Sequence, residues 1–434
     1  MKREAKSVRV GIAGFGTVGR AVANILVSHA EEVARRCGAG VRVSVVCRRG
    51  EMDAADIPEG AAAVHDWRAV TGSPDVDLVI ETMGGTEAAR ALALEALERG
   101  KPLVTANKNL MAAHGEQLMR LAAGKNLPLG FEAAVAGGIP VIRAIAEGTA
   151  ADRLRAVYGI LNGTANFILT RMQSEGAEFG AALAEAQRLG YAEQNPAADV
   201  DGLDARDKLA ILARLAFGVR VLPTSIPTSG IRGLEAIDMA YARQLRAAIR
   251  LVGAAERSEA GLTLSVRPWL VEERSLLGMV TGVNNAVFIE GERLGTQMFY
   301  GRGAGGDATA VAVLSDVMEI AADLAAGRAS AKFAGGFLSG RELLLARVPA
   351  PARWYLRLRI QDRPGVLARI AGILGKHGIN IDCTLQQPWE DKERLPFVIT
   401  VEPVSEPDMM RAVAAIDASG AVLEPVLLLR KAVD

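Results

Sequence analysis

Neither charge predominates in this 434-residue chain, where fifty Lys and Arg face fifty Asp and Glu. Without a basic field nothing holds a polyanion, which excludes nucleic acid as a partner class. Long apolar runs are missing too: no stretch reaches the roughly 18 uncharged residues of a membrane-spanning helix, so no membrane partner is expected. Cysteine is scarce. Cys37, Cys47 and Cys383 are odd in number and lack Cys-x-x-Cys spacing, which argues against a disulfide framework or a zinc site and suits a reducing cytoplasm. Histidine is limited to His29, His65, His114 and His377, none of them in a Gly- or acid-rich turn.

What is present is the balance of a globular enzyme: 50% hydrophobic and 23% charged residues. At roughly 150 residues per domain the length implies about three domains. The opening "MKREAKSVRVGIAGFGTVGRAV" imitates a secretion signal, but Arg20 and the glycines at 11, 14, 16 and 19 make it a strand and turn.

Over residues 1–134, β-branched runs (8–14, 41–47, 76–82, 102–107) alternate with alanine-rich helical stretches (17–37 and 86–100), which predicts an α/β doubly wound parallel sheet. Residues 135–330 carry longer Ala/Leu helices and Gly-rich turns and read as a second, α+β domain. Residues 331–353 read as a linker. In 354–434 the order is βαββαβ, a ferredoxin-like unit.

"GFGTVG" (14–19) follows a predicted strand and opens a predicted helix, the context in which Gly-x-Gly-x-x-Gly binds a dinucleotide in a Rossmann-type domain. Gly14 makes the tight turn, Gly16 admits the pyrophosphate, and Gly19 lets helix and strand approach. Phe15, Thr17 and Val18 complete the turn and offer backbone N–H groups to phosphate. An NAD-selective site wants an acidic residue after the second strand. Here Arg48 and Arg49 stand there, which favours NADP, with NAD and a plain exposed arginine loop as the competing readings.

Hydride transfer to a carbonyl also needs a proton donor. No tyrosine has a lysine four residues on, and the histidines are poorly placed, so lysine remains. In "DVDGLDARDKL" (199–209), at about 100° per residue, Asp204 and Lys208 share a helix side with Ile211, Leu212 and Leu215. Arg206, Asp207 and Arg214 fall away from it. An inward lysine beside a carboxylate suits proton transfer. A calcium loop fails on register, because the sixth position is Asp204 and the twelfth Ala210.

Residues 186–208, "AQRLGYAEQNPAADVDGLDARDK", resemble the signature of homoserine dehydrogenases. Matches follow in family order at 14–19, 81–85, 105–112, 132–140, 159–169 and 300–310, and "DRPGVLARI" (362–370) is similar to an ACT domain. The resemblance implies NAD(P)-dependent interconversion of L-aspartate 4-semialdehyde and L-homoserine, on the way to threonine and methionine. It makes Lys208 the proton donor and Lys108 its assistant near the nicotinamide. It gives Glu193 and Asp204 the substrate ammonium with Asp199 in support, and lets Gly163, Thr164 and Tyr191 line the substrate. Thr82 and Gly305 join the cofactor set. It further implies a monovalent cation such as sodium on main-chain oxygens of Glu132, Val135, Gly137 and Ile139, where a Gly-rich hinge is the competing reading. The second domain becomes the catalytic and dimerisation domain of a homodimer or homotetramer. The ACT domain takes threonine as effector near Gly365, or serves only oligomerisation.

Asn195 stands where the family often has aspartate, Asp307 where it often has proline, and "VRP" (266–268) where Val-His-Pro is frequent. Two other functions compete: a non-catalytic NADP and amino-acid sensor, against which the Asp204/Lys208 pair speaks, and an aspartate-semialdehyde dehydrogenase, which needs a nucleophilic cysteine motif the chain lacks.

Overall fold

The computed structural model describes residues 7–328, 337, 350–387 and 391–432. The chain forms two compact units: Met1–Val157 with Asp207–Ile226 and Val287–Leu343, and Tyr158–Arg206 with Pro227–Ala286 and Leu344–Asp434. Of the expected linker 331–353, only Phe337 and residues 350–353 fall within the described residues.

In the first unit, β1 (Ser7–Ala13), β2 (Gly40–Cys47), β3 (Ala62–Val64), β4 (Leu78–Glu81), β5 (Leu103–Thr105) and β6 (Leu129–Gly130) make one sheet ordered β3-β2-β1-β4-β5-β6. Every pairing in it is parallel. Sheets covered on both faces need near-continuous apolar strands, and Val10, Ile12, Leu78, Ile80 and Val104 are fully enclosed. The Gly306–Ala325 helix adds Val313, Val317 and Ala321 to the same core. The single helical stretch expected over 17–37 is two helices, Thr17–Ser28 and Ala30–Cys37. His29 leaves the helical region (φ −114°, ψ 23°), which lets Val33 and Cys37 reach the core.

The chain enters the second unit within β7 (Leu154–Ile160), whose helices include Gly163–Glu175 and Phe179–Arg188. Next, β8 (Ala247–Ser258) and β9 (Gly261–Glu272) pair antiparallel along their whole length. The chain returns to the first unit within β10 (Asn284–Gly291), followed there by β11 (Gly295–Arg302).

The C-terminal segment has the expected βαββαβ order: β12 (Ala352–Ile360), helix Val366–Lys376, β13 (Ile381–Leu385), β14 (Leu395–Val404), helix Glu406–Asp417 and β15 (Leu427–Lys431). Leu356, Leu358, Ile370, Leu374, Ile399 and Ile416 form its core, each fully buried. Its sheet does not end at β15. That strand pairs in parallel with β9 through Arg430↔Trp269 and Lys431↔Leu270, so one sheet runs β8-β9-β15-β12-β14-β13 through the second unit.

Candidate functional site

Strands β1 and β4 lie where the sheet reverses its order, the point at which doubly wound sheets bind ligands beyond their C-terminal ends. After β1 the N–H groups of Gly14 and Phe15 both donate to the Cys47 carbonyl, at 3.0 and 2.9 Å. Gly14 has φ +104°, and a Cβ there would stand 2.3 Å from the Thr82 carbonyl carbon. A Cβ on Gly19 would stand 2.2 Å from the Gly14 oxygen, whereas one on Gly16 would meet nothing within 4 Å. The first and third glycines are therefore demanded by the protein's own packing. The second keeps a side open, at the N-terminus of helix Thr17–Ser28, as an approaching pyrophosphate requires. Phe15 turns into the core at 1% exposure, while Thr17 is exposed and Val18 half-buried. Arg48 and Arg49 are exposed just past β2. Gly305 has φ +118° and precedes helix Gly306–Ala325; the exposed Asp307 sits in its first turn, where a carboxylate complements the helix dipole.

Behind the loop after β4 lies a polar chain whose first member sequence reasoning passed over. The fully buried Glu81 accepts from Thr105 Oγ1 at 2.5 Å and from the Met83 N–H at 2.8 Å, and burial pushes its carboxyl up. Thr105 Oγ1 accepts from the Asn107 N–H at 3.0 Å. Asn107 caps helix Lys108–Gly124 through Leu110 N and holds the Gly85 carbonyl at 2.6 Å. Thr82 Oγ1 donates to the Gly14 carbonyl at 2.7 Å. Glu81 thereby fixes both the glycine turn's neighbour and the helix start that carries the half-buried Lys108. A carboxylate ending a buried strand was the available signal.

At the expected cation loop, Glu132 is buried, and its carboxylate accepts from the Ile142 and Arg143 N–H groups at 2.8 and 3.0 Å. Burial and then the Asp316 carboxylate push it up to about 7. Arg143 bridges Asp316 and Glu319 at 2.9 and 2.7 Å. Ala136 and Gly137 both have positive φ (57° and 52°), which folds 132–139 back on itself. The Glu132 and Ile139 carbonyls each accept one backbone N–H and keep a second lone pair, compatible with oxygen ligation of a hard cation. Among the described residues no three His, Cys, Asp or Glu side chains group to hold a metal.

In the second unit one residue gathers two of the three expected acids, and it was not among the expected site residues. Asn162, 4% exposed, caps helix Gly163–Glu175 by accepting from Ala165 N at 2.7 Å. Its Nδ2 donates to Asp199 Oδ1 at 2.7 Å and to Asp204 Oδ2 at 2.8 Å. The asparagine before "GTAN" was the cue. Gly163 is the first residue of that helix, and a Cβ on it would lie 2.5 Å from the Val283 carbonyl oxygen. Thr164 Oγ1 donates to the Tyr191 carbonyl at 2.6 Å, and the exposed Tyr191 ring packs edge-on against Phe167. Glu193 is exposed, its carbonyl taking Gln187 Nε2 at 3.1 Å; the structure does not join its side chain to the other acids.

Asp204 and Lys208 lie one turn apart on helix Leu203–Phe217 and are 5% and 8% exposed, the inward pair that the helical face predicts. Arg206 and Asp207 are half-buried, but Arg214 departs from its expected polar side. It is 5% exposed, over the Phe337 ring at 5.1 Å, and donates to the Val221 carbonyl at 3.1 Å. From Leu209 to Leu215 the helix is enclosed all round, so a one-sided face could not place it.

A doubly wound sheet, a glycine turn at its switch point, and a carboxylate cluster leading into a buried lysine define a nicotinamide-dependent oxidoreductase, here with a ferredoxin-like unit later in the chain. Sequence models agree: that described as "Homoserine dehydrogenase, NAD binding domain" matches residues 14–132, "Homoserine dehydrogenase" 140–318, and "ACT domain" 354–418. The homoserine dehydrogenase of Pseudomonas aeruginosa is 41% identical over 431 residues, covering 98% of this chain and 99% of that one. The crystal structure of a homoserine dehydrogenase from Thiobacillus denitrificans superposes with a TM-score of 0.91 at 38% identity over 99% of each chain. A hyperthermophilic archaeal homoserine dehydrogenase in complex with NADPH gives 0.62 at 28% identity, covering 72% of this chain and 97% of that one. The chain belongs to the homoserine dehydrogenase family and is an NAD(P)-dependent oxidoreductase. That decides against both the sensor and the aspartate-semialdehyde dehydrogenase readings. Among the described residues no helix is long and apolar enough to cross a membrane.

Proposed function

We propose that the chain reduces L-aspartate 4-semialdehyde to L-homoserine, reversibly, in threonine and methionine biosynthesis, with NADPH preferred over NADH. The observation that carries the reading is Asn162 gathering Asp199 and Asp204 at the start of the helix that bears Lys208. When bound, the nicotinamide supplies the hydride. Asp204, with Glu193 and with Asp199 in support, holds the substrate ammonium, and Gly163, Thr164 and Tyr191 line its chain. Lys208 gives its proton to the carbonyl oxygen, assisted by Lys108. A monovalent cation on the carbonyls of Glu132, Val135, Gly137 and Ile139 stiffens that loop. The exposed Arg48 and Arg49 meet a 2′-phosphate, and the NADPH complex of the archaeal relative supports the same choice.

The working domains divide as 1–134, 135–330, a linker 331–353 and 354–434, in keeping with the matched segments. The enzyme is a cytoplasmic homodimer or homotetramer, its three thiols unpaired. Its ACT domain takes L-threonine beside Gly365, whose φ of +89° opens helix Val366–Lys376. Added L-threonine should lower turnover; unchanged kinetics with no binding heat would remove threonine control.

The decisive measurement is the assay of Lys208→Met with NADPH and with NADH. Loss of a positioned acid predicts a drop of about 10²–10⁴-fold in kcat with NADPH binding kept. Near-normal turnover would sink the assignment.

A further inference from the structure

Within the first unit, helix Lys108–Gly124 and the part of helix Leu203–Phe217 from Asp207 onward border a cavity of about 340 Å3. His114, Glu116, Arg120, Arg214 and Arg220 line it. Its charge is lopsided. The two oxygens of Glu116 are already taken, one by Arg120 at 2.9 Å and the other by Arg220 at 3.1 Å. Arg214 makes no direct ion pair among the described residues, Glu116 acting on its charge only from a distance. It makes one hydrogen bond, to the Val221 carbonyl, and its buried Nε has none among the described residues. Burial holds its guanidinium below the ordinary arginine value. Beneath it Phe337 packs edge-on against Phe131, and a Cβ on Gly115 would stand 3.0 Å from the Phe337 ring, so the arginine rests on a fixed floor.

A buried, incompletely satisfied cation is costly, and an anion delivered to it recovers much of that cost. Three guanidinium groups against one carboxylate leave an excess of two positive charges, with burial and Arg90 both disfavouring a charged His114. We propose that this cavity binds a small doubly charged oxyanion of the phosphate type. Arg214 is its buried anchor, and Arg120 and Arg220 close over it from the exposed mouth. A bound dianion ties the helix that begins at Lys108 to the helix that carries Lys208. The guanidinium fork suits planar and tetrahedral oxyanions alike, so inorganic phosphate and a free dicarboxylate share the chemistry.

The test is calorimetric titration of the full-length protein with sodium phosphate at constant ionic strength, repeated with malonate. Saturating NADPH is present throughout, so that the nucleotide's own phosphate sites are filled. One-to-one binding is expected, weakened by about tenfold or more in Arg214→Met. If that variant fails to fold, Arg120→Gln/Arg220→Gln serves, with the same loss expected and no change in NADPH affinity. Tighter binding of phosphate than of malonate identifies a tetrahedral dianion; the reverse assigns the site to a dicarboxylate and overturns the phosphate choice. No binding heat up to 10 mM, or equal affinity in wild type and variants, overturns the site itself.

Discussion

A single asparagine holds two carboxylates of the second unit together, those of Asp199 and Asp204. Asn162 uses its carbonyl to cap one helix and its amide to separate two carboxylates. Asn162→Asp keeps the shape and remains a good helix cap, but replaces the donor by a third negative charge. The fold should survive, with circular dichroism unchanged, while KM for homoserine rises by about tenfold or more at pH 8. An unchanged KM would detach the cluster from substrate binding. At this scale the sequence reveals residue types better than partnerships. Asp204 and Lys208 were legible because charge is unusual on an inward helical face, whereas Asp199 came only with the family resemblance. Asn162 and Glu81 were not, because their importance lies in residues far along the chain. Arg214 was misplaced because enclosure on all sides erases the periodicity from which a face is read.

Among the elements, the glycine turn separates two demands that a motif states as one. Gly19 is fixed by the Gly14 carbonyl, so Gly19→Ala must push helix Thr17–Ser28 off β1. We expect it to lower stability by about 1–3 kcal/mol and to weaken NADPH binding as a consequence. Gly16 meets no neighbour, so Gly16→Ala should leave the melting temperature within a degree or two and still weaken NADPH by about tenfold, because its Cβ occupies phosphate space. Thermal melts and NADPH fluorescence titration of the two variants check this; equal behaviour of both would refute the division of labour. Strands β1, β2, β4 and β5 and the C-terminal strands were readable from alternation and spacing, but β8 and β9, 12 residues each, were not singled out within 135–330. The short β3 and β6 were not, since two or three residues carry no period, nor was the break at His29, which tertiary packing imposes.

For the molecule as a whole, the C-terminal module is bound into the second unit by more than its place in the chain. Arg430 of β15 lies over the Trp269 ring of β9 at 4.4 Å and pairs with Glu256 of β8 at 2.6 Å. Strand pattern alone could not show that junction, because the partners stand some 160 residues apart. A second junction is ionic. Asp238, fully buried on helix Ala236–Gln244, accepts from Arg357 Nη1 at 2.6 Å and from the Tyr355 hydroxyl at 3.1 Å, both on β12. Glu235 caps that helix and pairs with Arg357 and with Arg359.

Burial outweighs Arg357 and pushes the Asp238 carboxyl from 3.8 up to about 6. A carboxyl raised in the folded state binds its proton there when the unfolded chain has already lost it. Its contribution is complete below about pH 4 and is lost as pH rises through about 6, a change on the order of 3 kcal/mol. Asp238→Asn cannot titrate, so the stability of wild type relative to this variant should fall between about pH 4 and about pH 7, with the wild type's advantage greatest at the acid end. Calorimetric melts of the full-length protein at steps across that range measure it. A difference that stays constant with pH would show that Arg357 keeps Asp238 ionised throughout, making the junction a permanent ion pair. A difference that falls makes it a proton-sensitive joint between the C-terminal sheet and the helix on which it rests.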